Sequence, residues 1–355
     1  MKKYNDIELL QDLSLLFGPT GCEDDVREFI KNEAKDLCDE IYTDRLGNLI
    51  TKINGRGKSK IMISAHMDEV GFMVNEITDK GYLKFDTLGG IDTRVLCGKH
   101  VTIEANDGKK IKGLITSKAI HHKKRSERLD IVPITAMYID IGVSSEEEAK
   151  KYVDIGSYGT FDSEFYRFGK DGCKIKSKAL DDRLGCAVML LAMAELYPIR
   201  DTLDADLYFC FTTREEIGLS GAQVAAQTIA PDFAIVLETT AVADIAKVPD
   251  ERRVAKQGDG GAISLMDRST IYDREFIEFA LECANENGIK AQIKRYVSGG
   301  NDAAHIHKSC TGVRALALSA PTRYLHSPAC VADINDYRSM YALVGAMLKN
   351  WKLEK

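Results

Sequence analysis

Apolar positions recur at helical spacing across residues 6–17, through Ile7, Leu9, Leu10, Leu13, Leu15 and Leu16, until Gly18-Pro19 stops the run. A second helix is predicted over 23–38. Alternating strand-like segments follow within 41–53, then a buried strand over 60–65 behind the turn at 55–59. From 71 to 165 the texture changes to short β-rich stretches cut by turns at Lys80-Gly81, Leu88-Gly89-Gly90, Asn106-Asp107-Gly108 and Ile155-Gly156. Segments 101–105 and 111–116, joined across Asp107-Gly108, read as a hairpin. One helix interrupts this stretch, over 144–153, with Ser144 and Glu147 as its capping box. Beyond 172 the helical period returns. Helices at 182–196, 220–227, 274–287 and 334–352, with a short one from about 302, alternate with strands at 206–213, 233–239, 262–266, 291–297 and 313–319. Such alternation predicts an α/β fold with a mixed, largely parallel sheet flanked by helices. The chain divides into one domain of residues 1–70 and 166–355 and a small β-barrel-like domain inserted at 71–165.

Composition narrows the function. Lys plus Arg is 48 against 54 Asp plus Glu, a net charge of -6, which gives no electrostatic footprint for nucleic acid. The longest apolar stretch, 184–194, falls short of the roughly 20 residues of a membrane span. Acidic residues break up the N-terminal apolar positions, unlike a secretory signal, so a cytoplasmic protein is expected. Nine cysteines are scattered without a CxxC pair, which suits reduced thiols and excludes a disulfide framework or a Cys-ligated zinc site.

In open α/β sheets functional residues collect beyond the carboxyl ends of strands, and there the polar residues are consistent. Ala65-His66-Met67-Asp68 follows the first buried strand, and Ala179-Leu180-Asp181-Asp182-Arg183 precedes the long apolar helix. Thr212-Thr213-Arg214-Glu215-Glu216 follows the strand at 206–213, Glu238 follows Val236-Leu237, and Tyr324-Leu325-His326-Ser327-Pro328 follows the last strand. Singly, each has an ordinary explanation, such as an N-cap for Asp181-Asp182 or a solvated pair for Glu215-Glu216. Jointly, carboxylates and imidazoles converging from separate elements would repel unless a cation neutralised them. His and carboxylate donors without Cys suit Zn²⁺ or a similar divalent ion in a catalytic site. Two metals with a shared bridging carboxylate require two His and three carboxylates, which His66, His326, Asp181, Glu216 and Glu238 supply. Asp68, two residues from His66, can accept the other ring N–H and fix its tautomer. Glu215, left over beside a ligand, is placed as general base.

These residues resemble the dinuclear-metal tetrahedral (TET) aminopeptidases, which include glutamyl aminopeptidases. The likeness runs through SAHMDEVGFMV (64–74), KALDDRLGCAV (178–188), TTREEIGLSGA (212–222), VLETT (236–240) and PTRYLHSP (321–328), with the segment from Ile139 to Ala149 similar to the family's insertion domain. The resemblance implies a zinc-exopeptidase-like catalytic domain and peptide substrates. It implies two divalent ions per subunit, Zn²⁺ or Co²⁺, held by His66, Asp181, Glu216, Glu238 and His326, with Glu215 as base and Asp68 behind His66. It also implies a homo-oligomer, dimers assembling into a tetrahedral dodecamer through the inserted domain. The family usually carries Asp at the position of Glu238 and Thr at that of Asn301.

Other motifs are set aside. His305 and His307 fall on different faces of a short helix; His121-His122 with Lys123, Lys124 and Arg125 reads as a solvated loop or subunit contact; Gly258-Asp259-Gly260-Gly261 lacks a P-loop lysine and reads as a substrate loop. The activity expected is metal-dependent removal of N-terminal residues from peptides. A metal-dependent deacylase on the same centre is the nearest alternative. A glucanase using Glu215 and Asp181 is a weaker one, since it leaves both histidines idle and Trp351 is the only Trp.

Overall fold

The computed structural model describes residues 4–127 and 129–355. Helices α1 (Asp6–Leu15), capped by the Asn5 side chain, and α2 (Asp24–Ala34) lead into an antiparallel pair, β1 (Glu40–Thr43) and β2 (Leu49–Ile53), and then β3 (Lys60–His66). The chain next forms a closed six-stranded barrel: β4 (Gly71–Ile77), β5 (Leu83–Leu88), β6 (His100–Glu104), β7 (Lys110–Ser117), β8 (Met137–Asp140) and, after the short α3 (Glu146–Ala149), β9 (Tyr158–Phe161). Strands β6 and β7 pair as the expected hairpin, with Glu104 opposite Lys110. Phe72, Phe85 and Phe161 fill the barrel interior, their rings edge to face at 5.3 and 5.1 Å.

The remaining elements complete a large mixed sheet. They are β10 (Tyr166–Phe168), β11 (Lys174–Ser177), α4 (Leu180–Leu196), β12 (Asp206–Thr212), α5 (Ser220–Ile229), β13 (Phe233–Ala241), β14 (Gly261–Ser264), α6 (Arg274–Glu286), β15 (Ala291–Lys294), α7 (Ala303–Ile306), β16 (Arg314–Arg323), β17 (Cys330–Asp333) and α8 (Ile334–Lys349). The strand order is β1-β2-β12-β3-β13-β16-β17-β11-β10, with β14 and β15 branching from β16. Its centre, β12-β3-β13-β16, is parallel. Parallel strands need cover on both faces. Helix α4 is buried along almost its whole length, which explains the apolar run at 184–194. No helix among the described residues is long and apolar enough to cross a membrane.

The structure differs from the sequence reading in several places. The helix expected over 144–153 shrinks to α3, and its cap moves by one residue. The Ser145 hydroxyl accepts from the Glu148 N–H, while the Glu148 carboxylate accepts from the Ser144 N–H. Strands β10, β11 and β17, three or four residues long, are not among the elements the pattern predicts. Helix α4 starts at Leu180, but Asp181 and Asp182 depart from helical dihedrals and are joined by a cis peptide bond.

Candidate active site

Strands β3 and β12 end together, with His66 opposite Thr212, and β13, paired with β3 from Phe233 opposite Ile61 to Val236 opposite Ser64, carries Glu238 two residues further on, level with His66. Asp181 comes from the non-helical first turn of α4, Glu215 and Glu216 from the loop after β12, and His326 from the turn between β16 and β17. Alanine, arginine, tyrosine and histidine rarely adopt positive φ. Yet Ala179 (φ 51°), Arg214 (φ 58°), Tyr324 (φ 59°) and His326 (φ 56°) all do so beside these residues. Such conformations persist where surrounding contacts over-determine them, and they mark functional sites.

His66 Nε2 lies 3.4 Å from Asp181 Oδ1 and 3.6 Å from Glu238 Oε1. His326 Nε2 lies 3.4 Å from Asp181 Oδ2 and 3.4 Å from Glu216 Oε2. Asp181 thus stands between two trios, and within each trio one donor atom per residue lies within 4.8 Å of the others. The other ring nitrogens face main-chain carbonyls: His66 Nδ1 is 3.0 Å from Asp68 O and His326 Nδ1 is 2.7 Å from Gly90 O. A carbonyl only accepts, so Nδ1 carries the hydrogen. In a neutral ring Nε2 then turns a lone pair towards carboxylate oxygens, which is unfavourable unless a cation or an extra proton lies between them.

The titration behaviour follows. Burial alone would hold His66 below its ordinary value, but hydrogen bonds to Asp181, Asp68 and Glu238 outweigh it and raise the imidazole well above. At His326 burial is likewise overcome, by Asp181 and Glu216, and the value rises to about 10. Burial, reinforced by the Asp181 charge, pushes Glu216 up to about 8 and Glu238 to about 7. For Asp181 burial is opposed and overcome by His326 and His66, which hold it well below the carboxylate range. Five side chains in balance only by borrowing protons fit two divalent cations on the chemistry of the donor set.

Glu215 belongs to neither trio. It lines a cleft of about 370 Å³ together with Asp181, Glu216, Glu238, Thr240 and Gly299. Burial first, then the charges of Glu238 and Glu216, raise its carboxyl well above the ordinary value although His66 opposes them.

Asp68 faces His66, as the sequence reading has it, and makes further contacts. Its main-chain carbonyl meets His66 Nδ1, with carboxylate Oδ1 farther away at 3.5 Å. The buried carboxylate also accepts from the N–H groups of Glu215 (3.0 Å) and Glu216 (3.1 Å). The turn after β3 brings the carbonyl back beneath the ring and leaves the side chain within reach of both His66 and the Glu215 loop.

The glycines at 258–261 do not line this cleft; the N–H groups of Gly258 and Gly260 are held by Asp336 of α8. His305 Nδ1 meets Gln223 and His307 Nδ1 meets the Ala303 carbonyl, and neither histidine joins a metal-capable group among the described residues. His121 and His122 lie exposed in a short 3₁₀ turn.

Sequence reasoning passed over the buried polar groups behind the site. Arg183, fully buried, donates to the carbonyls of Leu13, Gly18 and Met67, and Lys178 Nζ meets Glu69 Oε1 at 2.5 Å. The signal was available: basic residues bracket Asp181-Asp182 at the head of an apolar helix. Gly185 is required because a Cβ there would lie 2.2 Å from Asp182 Oδ2.

Residues 47–343 match the family model described as M42 glutamyl aminopeptidase. The chain belongs to the M42 aminopeptidase family. It is 30% identical to the lysyl aminopeptidase of Pyrococcus furiosus over 98% of both chains. A TET aminopeptidase from the marine sediment archaeon Thaumarchaeota archaeon SCGC AB-539-E09 superposes with a TM-score of 0.94 at 33% identity, covering 98% of this chain and 97% of that one. The Pyrococcus horikoshii TET1 peptidase, whose structures show a tetrahedron or a large octahedral shell, gives 0.86 at 32% identity over 98% and 100%. A Thermotoga maritima protein described as an endoglucanase gives 0.78 at 34% identity over 96% of each chain. This M42 member is a peptidase hydrolase with the family's divalent-metal dependence, and its fold is that of the TET aminopeptidases.

Proposed function

We propose that this chain is a dinuclear metallo-aminopeptidase that removes N-terminal residues from peptides. The reading rests on one observation: two histidines, each fixed through Nδ1 by a carbonyl, aim Nε2 at carboxylate pairs that share Asp181. His66, Asp181 and Glu238 would hold one divalent ion, and Asp181, Glu216 and His326 the other, Zn²⁺ or Co²⁺ in either place. When bound, the pair supplies Lewis-acid polarisation of the scissile carbonyl and lowers the pKa of water. Glu215, raised in pKa and outside both trios, takes the proton of the attacking water and returns it to the leaving amine. A free α-amino group would be held near one metal and its carboxylates at the floor of the cleft, which favours cleavage at a substrate end over endopeptidase cleavage. Asp68 keeps the Glu215 loop in place.

Residues 71–165 act in this proposal as a dimerisation domain inserted into the catalytic domain of 1–70 and 166–355. The subunits assemble into a tetrahedral dodecamer, as TET-type neighbours suggest, in the cytoplasm. A deacylase would share the metal set but not the preference for a free amine. A glucanase leaves the two histidine–carboxylate trios without a task, whatever the name of one structural neighbour.

The test is hydrolysis of a panel of aminoacyl-p-nitroanilides and their N-acetyl counterparts, with metal content measured on the same sample before and after chelation and readdition of Zn²⁺ or Co²⁺. Chelator-sensitive release from free-amine substrates alone, with about two metals per chain, is the expected result. Release from acetylated substrates would turn the assignment to a deacylase.

A further inference from the structure

The cleft wall and the loop carrying Glu215 are far apart in sequence, yet one buried dipeptide touches the supports of both. Ser298, Gly299 and Gly300 line the cleft. Directly after them, Asn301 and Asp302 are buried, 3% and 2% exposed. Asn301 Nδ2 donates to the Tyr272 hydroxyl at 3.1 Å, which donates in turn to Asp267 Oδ2 at 2.6 Å, while Asn301 Oδ1 accepts from the Ala303 N–H at 2.9 Å. At its near end the wall is fixed by Lys294 Nζ, 3.1 Å from the Ser298 carbonyl.

Asp302 reaches the other way. Its Oδ2 lies 2.7 Å from the hydroxyl of Thr212, the last residue of β12 and the register partner of His66. Thr212 Oγ1 has a second contact, 3.3 Å to the Ala65 carbonyl, and its side chain is fully buried. Three residues beyond Thr212 stands Glu215. Asp302 Oδ1 is buried without a hydrogen-bond partner among the described residues, so only one oxygen of the carboxyl does the holding.

We infer that Asn301-Asp302 is a positioning clamp: through Tyr272 it fixes the substrate-facing wall, and through Thr212 it fixes the strand end from which His66 and the Glu215 loop are presented. Neither residue lines the cleft, so the clamp acts on substrate through the loops it ties and not by contact. The inference rests on the aminopeptidase reading for its kinetic signature. Because a displacement of about 1 Å at a reacting group can cost a hundredfold in rate, the two ends should separate kinetically. Loosening the Thr212 end lowers kcat, and loosening the Tyr272 end raises KM.

The experiment compares Asp302→Ala, Asp302→Asn, Thr212→Val, the double variant Asp302→Ala/Thr212→Val and Tyr272→Phe. It reads kcat and KM on an aminoacyl-p-nitroanilide and amide hydrogen exchange over 213–216 and 298–303. Asp302→Ala and Thr212→Val should each lower kcat by about tenfold or more with KM little changed. The double variant should fall no more than about twofold below either single, because both remove the same bond. Asp302→Asn, which keeps an acceptor for the Thr212 hydroxyl, should recover most of the kcat lost in Asp302→Ala. Tyr272→Phe should raise KM about fivefold with a smaller change in kcat. Thr212→Val should also speed exchange over 298–303, across the clamp. Lowered melting temperatures with kcat and KM unchanged, or additive losses in the double variant, would overturn the clamp. If the wild-type protein cleaves none of the panel, the aminopeptidase reading falls and exchange alone decides: unchanged protection over 298–303 in Thr212→Val would overturn the clamp independently.

Discussion

Replacing Asp68 by Asn separates two roles that the sequence alone merges. The carboxylate accepts two main-chain hydrogen bonds, 3.0 Å from the Glu215 N–H and 3.1 Å from the Glu216 N–H, at a fully buried position. Hydrogen bonds to a charged acceptor contribute about 1.5–3 kcal/mol each. An asparagine oxygen can keep one of them, but its NH₂ then faces the other N–H, donor against donor. The expected loss is therefore one charged bond plus the weakening of the second, about 2–4 kcal/mol, concentrated on the two residues that carry the proposed base and a proposed ligand. The His66 contact survives, because the group nearest Nδ1 is the Asp68 main-chain carbonyl. Asp68→Asn should thus lower kcat about 30- to 100-fold through a displaced Glu215 while the protein retains its bound metal. Steady-state kinetics on a p-nitroanilide substrate, with elemental analysis of the same preparation, decide it. A kcat within about twofold of wild type would refute the loop-holding role. Metal loss in proportion to activity would refute the argument too, showing that the carboxylate works through His66.

Three further outcomes are expected. Glu215→Gln should keep bound metal and fold normally, yet lose most of kcat, about a hundredfold or more; unchanged turnover would remove Glu215 from the mechanism. Burial pushes the Asp336 carboxyl up to about 7 against the N–H groups of Gly258 and Gly260 that pull it down. The folded protein therefore binds a proton that the unfolded chain releases near pH 4, and stability is lost as pH rises from there through about 7, by up to about 4 kcal/mol. Asp336→Asn, which retains an acceptor for both N–H groups, should flatten this dependence in denaturant titrations of the metal-loaded protein, and an unaltered slope would contradict it. Arg183→Met leaves three carbonyls without their buried donor and should destabilise by about 3 kcal/mol or more; a melting temperature within about 2 °C of wild type would show that the carbonyls find other partners.

Much of this protein is legible in one dimension. The helical and alternating periods locate α1, α2, α4, α6, α8 and the central strands, because amphipathic or fully buried elements write their environment into consecutive residues. The ligand candidates were legible too: residues at the carboxyl ends of parallel strands share one edge of the sheet, so His66, Glu215, Glu216 and Glu238 had to be neighbours once the alternation was read as α/β. The short strands β10, β11 and β17 were not, since three or four residues hold too few periods to mark a strand by themselves. Nor was the acceptor of the His66 ring, which depends on how the turn after β3 folds back, a backbone matter to which the identity of Asp68 does not speak. The histidine–carboxylate contacts of the two trios, the Arg183 ties and the bond from Asp302 to Thr212 join residues 90 to 170 positions apart or more. Such contacts exist only when the sheet, the head of α4 and the returning loops are packed together, and their distances, tautomers and shared protons were decided by that packing and by nothing local in the chain.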